Sequence, residues 1–451
     1  MMNGMMVLGM KKNKQWRVNI RYFRQRYGVI IALIIAILIS IFLSVQLWYS
    51  PDQSTKQQRA NETAQENATG ENLTSVYGIS QLVFNQSDKK ISAIDYRTLY
   101  AKIVDRVKKW DAGYKSSEVL KKQDYLDALS QEKSIVMTFP DAVSGHVIKP
   151  IFGTHIKLAN HATINHVQVP QGDSNKFYFY DDRHRKRYTY QISNAPKKLR
   201  QLKPGKKTAD VSYQWVGKHV MAATTTSVNL QSYSYLLDVD STVSRLTKLF
   251  SDGGTRDVNN GQEILTYSNG DNRRMQHNVT TGLINYDAYN INRNVNSLSQ
   301  RQSEGYLWLL RLHQNADNLY YFEEHDRGQT LTYRLFVNGL PIFGQTTYGG
   351  TVRVKQLPNN HERIGMSQYS LRVPLPTDQK NQVNLEPMND AMAKLKSVGV
   401  ARDDIEQMTI GYRWQLDTDN QIVTLHPEWC FEQDHVWRSV NEQVKSEQGG
   451  H

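Results

Sequence analysis

Twenty consecutive uncharged residues, Val29 to Trp48 (VIIALIIAILISIFLSVQLW), constrain this chain more than any other feature. As a helix they rise roughly 30 Å, the thickness of a bilayer's hydrocarbon core. All the charges before the run are positive: Lys11, Lys12, Lys14, Arg17, Arg21, Arg24 and Arg26, with no acid anywhere in residues 1–50. Basic flanks stay on the cytoplasmic side, so these residues set the topology. The expectation is a cytoplasmic leader over 1–28, a single-pass anchor over 29–48 and an extracytoplasmic remainder. Trp48 and Tyr49 stand where an outer aromatic belt belongs, and Tyr22, Phe23 and Tyr27 where an inner one does. A cleaved signal peptide has a shorter apolar core ending in a small-x-small site. This run ends in Leu47-Trp48-Tyr49, which favours an uncleaved signal-anchor in the cell membrane.

The anchor carries a second pattern. Gly28, Ala32, Ala36, Ser40 and Ser44 recur every fourth residue, and the other positions up to Val45 are Val, Ile, Leu or Phe. Small residues on one helix row let a second backbone approach closely in lipid. The row is therefore expected to pack against a partner helix, with Gln46 adding an interhelical hydrogen bond.

The net charge of +12 suggests nucleic acid until it is located. Outside residues 1–50 it falls to 48 bases against 43 acids, a mildly basic surface that does not predict nucleic-acid binding. The lone Cys430 permits no internal disulfide and no cysteine zinc cluster. An extracytoplasmic protein so poor in cysteine suits a Gram-positive envelope.

Residues 49–75 are rich in Gln, Asn, Thr, Glu and Ala and read as a flexible linker. Beyond it the patterning predicts an α+β class: a multi-domain extracytoplasmic part of antiparallel sheets with helices, divided as 76–207, 208–300 and 301–445. Ile91 to Trp110 has near-helical apolar spacing. Ser134–Phe139 reads as a strand ended by Pro140, and Phe177–Tyr180 with Tyr188–Tyr190 as a hairpin around Asp181–His184. Strands are expected at 211–216, 219–227 and 233–239, and Asp240 caps a short helix carrying Val243, Leu246 and Phe250. Glu263–Tyr267 and Met275–Val279 flank the Asn269-Gly270 turn. A helix over Tyr306, Leu307, Leu310 and Leu312 precedes a Thr330–Val337 strand, an Asn338-Gly339 turn and a Leu340–Phe343 return. A helix over 385–398 and strands at 409–414 and 421–425 close the chain.

Catalytic patterns fail on inspection. Ser87-Asp-Lys-Lys90 and Tyr267-Ser-Asn269 mimic two boxes of penicillin-binding proteins, but Lys207-Thr208-Ala209 breaks the third box and its order. His155, His161 and His166 are spaced for no helical metal pair and read as surface histidines; Glu323-Glu-His325 stands as a lone acidic cluster. No catalytic residue, metal or cofactor is expected. The Tyr-rich hairpin admits sugar stacking, which keeps a module that binds or processes cell-wall glycan as the alternative function.

Four stretches together resemble the YycH family: the leader and anchor ending in Leu47-Trp48-x-x-Pro51; Lys248–Asp252 with Thr266–Gly270 and Thr281–Tyr286; Tyr333–Phe343; and the helix after Asn384 followed by Ile410-Gly-Tyr412 and Val423–Trp429. The chain departs from the family at Asn269-Gly270, where Asp-Gly is frequent, and at Cys430, where an aromatic follows the Trp. The companion YycI family is similar in architecture but shorter. The resemblance implies a non-enzymatic, membrane-anchored regulator that modulates the sensor histidine kinase YycG/WalK together with a YycI-like protein, in a two-component system of cell-wall homeostasis.

Overall fold

The computed structural model describes residues 75–448 apart from stretches within 154–155, 194–200, 239–262, 269–271, 292–295, 312–317, 345–348 and 377–380, together with Leu33, Ala36, Ile37, Leu38 and Ser40. Those five are helical and exposed. Gly28, Ala32, Ser44, Gln46 and the basic residues from Lys11 to Arg26 lie outside the described residues, as do Leu246, Phe250 and the Asn269-Gly270 turn. Among the described residues no helix is long and apolar enough to cross a membrane. The chain divides into two units, Met1–Thr69 and Gly70–His451.

The second unit begins with a sheet of nine strands: β1 (Gln81–Asn85), β2 (Lys90–Ala93), β3 (Ala112–Val119), β4 (Ser134–Ser144), β5 (Thr163–Pro170), β6 (Lys176–Asp181), β7 (Lys186–Ile192), β8 (Thr208–Val216) and β9 (His219–Thr224). They run β3-β7-β6-β5-β4-β1-β2-β8-β9, with every neighbouring pair antiparallel. Helices α1 (Arg97–Val107), α2 (Lys122–Leu129) and α3 (Gly145–Phe152) cover it. Tyr125 and Leu129 of α2 pack on Val83, Val136, Tyr213 and Val220, while α1 and α3 contribute Ile103, Val107, Val147 and Phe152 to the main core. Covering both faces explains the unbroken apolar runs Leu82-Val-Phe84 and Ile135-Val-Met137, since a strand buried on both sides does not alternate.

Two expectations are corrected by this sheet. Ile91 belongs to β2, not to a helix; its spacing fits both periods, and pairing with β1 and β8 decides for strand. Pro140 does not end β4, which continues to Ser144 through a register shift between Thr138 and Val143. A bulge is where a strand tolerates a residue without an N–H.

The free edge of β9 is closed by side chains from β1 and from the β6–β7 turn. The Gln81 amide mimics a strand partner, donating to the Ala222 carbonyl and accepting from the Ala222 N–H, both at 3.1 Å. Asp182 Oδ2 accepts the Val220 N–H at 2.8 Å.

The second half holds β10 (Val228–Gln231), β11 (Tyr233–Asp238), β12 (Thr255–Asp257), β13 (Ile264–Ser268), β14 (Arg273–Asn278), β15 (Leu283–Ala288), α4 (Leu298–Arg311), β16 (Leu319–His325), β17 (Thr330–Val337), β18 (Leu340–Phe343), β19 (Thr351–Leu357), β20 (His361–Ser367), β21 (Ser370–Pro374), β22 (Gln382–Leu385), α5 (Met388–Ser397), β23 (Gln407–Asp417), β24 (Ile422–Gln433), β25 (Val436–Ser439) and α6 (Val440–Gln448). β10 pairs with β22; the other strands form a sheet ordered β12-β13-β14-β15-β20-β19-β17-β18-β23-β24-β11-β21, with β16 on β17 and β25 on β24. The β17–β18 hairpin matches its expected limits. Asn338 (φ 48°) and Gly339 (φ 86°) are both left-handed, the geometry that makes Asn-Gly a two-residue hairpin signal. Beyond it β18 pairs in parallel with β23, Ile342 opposite Tyr412, the one parallel pairing among the described residues.

Both halves share the main core. The Tyr77 hydroxyl donates to the Gln302 carbonyl at 2.7 Å, and Gln302 reaches back to Ser144 N–H and the Ala142 carbonyl. Tyr306, Leu309, Tyr321 and Tyr333 lie in the same cluster as Leu82, Met137 and Phe179. Gly411 on β23 shows how tightly β18 packs: a Cβ there would meet the Phe343 ring at 2.4 Å and the Pro341 carbonyl at 2.8 Å. Gly411→Ala is therefore expected to destabilise the protein by about 1–3 kcal/mol through overpacking, read as a lower urea midpoint at unchanged m-value.

Candidate functional site

The densest buried charge joins β16, β17, β24 and β25. Glu323 and His325 stand two apart on β16, Arg334 on β17 and Glu432 on β24, while Trp437 lies on β25 and His435 on the turn before it. Arg334 Nη2 lies 3.5 Å from Glu323 Oε1, and Trp437 Nε1 donates to Glu323 Oε2 at 2.5 Å. His325 Nε2 sits between two carboxylates, 3.2 Å from Glu323 Oε2 and 3.0 Å from Glu432 Oε1. These are ion-pair distances, yet neither His325 Nε2 nor Glu432 Oε1 has a partner in hydrogen-bond alignment. Arg334, 2% exposed, lies against the Phe322 and Phe343 rings, its guanidinium carbon 4.8 and 4.4 Å from the ring centres, and the two rings meet edge to face at 5.6 Å.

Burial alone would raise the Glu323 carboxyl; His325, Arg334 and the Trp437 N–H more than offset it and hold it well below the carboxylate range. Burial would lower His325, but Glu323 and Glu432 push it up to about 10. Burial lowers Arg334 to about 10, which leaves it cationic at neutral pH. Glu432 is raised, chiefly by burial.

The cluster opens on a cavity of about 200 Å³ that Glu323, His325, Asp326 and His435 line together with Arg353, Lys355 and Arg363. The patterning showed only Glu323-Glu-His325, as a lone acidic cluster; Glu432 and His435 are more than a hundred residues away and complete it.

A second buried network sits under the first sheet. Asp182 Oδ1 accepts from the Tyr125 hydroxyl at 2.7 Å and lies 2.9 Å from His166 Nε2, whose Nδ1 is 2.9 Å from Thr138 Oγ1. His166 is fully buried, which corrects its expected place on the surface. It faces inward because β5 is covered on both faces. His161 is exposed as expected, and His155 lies outside the described residues. The Tyr-rich hairpin is mostly core: Phe177, Phe179, Tyr180 and Tyr190 have no exposed surface, so four of its six rings have no face for a sugar. Cys430 is buried, with its thiol pushed up by that burial. Ser87 lies exposed beside the β1–β2 turn, with no core helix behind it.

Of the anchor row, Ala36 and Ser40 are described, on one helical face four residues apart. Of the family stretches, Tyr333–Phe343 is the β17–β18 hairpin, Ile410-Gly-Tyr412 lies in β23 and Val423–Trp429 in β24. Residues 29–208 match the YycH protein N-terminal domain, and residues 218–447 match the YycH protein C-terminal domain. The chain belongs to the YycH family. No curated protein matches it. Among solved structures, the crystal structure of YycH from Bacillus subtilis superposes with a TM-score of 0.63 at 14% identity, over 82% of this chain and 96% of that one. At that identity the likeness shows a shared fold. YycH membership supports a regulatory accessory role in the YycG/WalK system and an extracytoplasmic domain.

Proposed function

We propose that this chain is a non-enzymatic, single-pass regulator that modulates the YycG/WalK sensor kinase together with a YycI-like protein, its N-terminus cytoplasmic and its folded part outside a Gram-positive cell membrane. The observation that carries this reading is the pairing of YycH matches over 29–208 and 218–447 with an anchor sequence bearing a single row of small residues. The helical Leu33, Ile37 and Leu38, exposed by 61, 50 and 60%, support the anchor, because apolar side chains so placed want a lipid or protein neighbour. The small-residue row then meets a kinase or YycI helix, and the folded part scaffolds the complex.

In lipid there is little hydrophobic drive between helices, so close backbone approach supplies the contact energy. Ala36→Leu fills the row while remaining fully compatible with lipid. It is expected to reach the membrane like the wild type but to lose on the order of 1 kcal/mol of helix association, about fivefold in recovery of the kinase by co-purification. Ile35→Leu, off the row, should leave recovery unchanged. Equal recovery of the two variants would move the contact away from the row.

A further inference from the structure

The geometry points to a divalent metal site of the zinc class formed by His325, Glu432 and His435, with Glu323 as a fourth donor. One donor atom from each of the first three lies within 4.8 Å of the others. The separations from His325 Nε2, 3.0 Å to Glu432 Oε1 and 3.2 Å to Glu323 Oε2, match the spacing of about 3.0–3.4 Å between neighbouring ligands that share one metal at bonds of about 2.0–2.1 Å. Two of these atoms, His325 Nε2 and Glu432 Oε1, are the ones left without an aligned partner, and Glu432 is 1% exposed. Buried polar atoms almost always find a partner, so two orphans converging on one point call for a common one.

His435 has the supporting arrangement of a metal-bound imidazole. Its Nδ1 lies 2.9 Å from Glu406 Oε2, which fixes the ring and leaves Nε2 for a ligand. Trp437 and Arg334 orient Glu323 in the same way. Two imidazoles and two carboxylates suit zinc and its neighbours, with Arg334 offsetting part of the charge of Glu323. The adjoining cavity, lined by Glu323, His325 and His435, provides the path in. The metal takes the place that a proton on His325 otherwise holds between the two carboxylates. It fastens the β24–β25 turn to β16, making the end of the folded part responsive to metal.

The test uses the full-length chain in detergent, without a histidine tag, equilibrated with Zn²⁺ and then desalted. One retained equivalent is expected, and Co²⁺ in its place should give the visible absorption of a four- or five-coordinate ion. Glu406→Gln should weaken binding about 10–100-fold, and His435→Asn by more. Asn tolerates the left-handed backbone at this exposed turn (φ 58°), so that variant keeps its fold, and an unchanged thermal midpoint without metal verifies it. His161→Asn, at an exposed histidine elsewhere, should bind as the wild type does. No retained equivalent, or retention unaffected by His435→Asn, overturns the site.

Discussion

Glu323→Ala should cost about 3–5 kcal/mol of stability, because it leaves Arg334 buried without its counter-ion, while His325 keeps Glu432. Arg334 cannot escape to water: it is 2% exposed and packed against the Phe322 and Phe343 rings. The penalty belongs to the stranded charge and not to the pair, so removing both partners should recover most of it. Glu323→Leu combined with Arg334→Met replaces the pair with apolar volume and is expected to lie within about 1–2 kcal/mol of the wild type. Urea unfolding of the wild type, Glu323→Leu, Arg334→Met and the double variant measures the coupling. A Glu323→Ala loss below about 1 kcal/mol would mean that water or a bound ion already compensates Arg334.

A comparable loss, about 3–5 kcal/mol, is expected for Asp182→Ala, which strands the Tyr125 hydroxyl, His166 Nε2 and the Val220 N–H together. This site also carries a pH signature. Burial raises the Asp182 carboxyl, but His166, the Val220 N–H and the Tyr125 hydroxyl more than offset it and hold it below its ordinary 3.8. A carboxyl lowered in the folded state adds stability that is fully present above its unfolded value and disappears as pH falls through its folded value. The wild type should therefore lose stability on acidification below about pH 4, whereas Asp182→Asn should be weaker at neutral pH and show less of that acid loss. Chemical denaturation between pH 7 and pH 3 tests both; parallel profiles for the two proteins would remove Asp182 from the acid response.

Local chemistry explains which of these features the sequence exposes. The β17–β18 hairpin is legible because Asn338-Gly339 alone satisfies two left-handed positions. The helix at Met388–Ser397 is legible because Met388, Met392 and Leu395 keep one face buried. Ile91 misleads because four residues are too few to separate the strand period from the helical one, and its partners on β1 and on β8, the latter more than a hundred residues later, settle it. Pro140 misleads because a bulge can host what a regular ladder rejects. Charge buried across strands leaves no periodic trace: Glu323 and Glu432 meet through the sheet order, which spacing does not encode. One signal was available. Glu428, Cys430 and Glu432 share one face of β24, and two carboxylates four apart on one strand face among apolar neighbours mark a strand with buried acids.

The Tyr77 contacts set a schedule for assembly. β1 can pair with β4 once residue 138 has been made, and β9 closes its sheet by Thr224. Tyr77 itself waits for Gln302 and Tyr333, partners 225 and 256 residues further along the chain. Loop closure over such distances is slow. A chain made from its N-terminus therefore holds a paired sheet that lacks the partners of Tyr77 from Thr224 until Gln302 and Tyr333 have been made. Incomplete packing in that interval is what chaperones and proteases act on, and mutations in α4 are expected to prolong it.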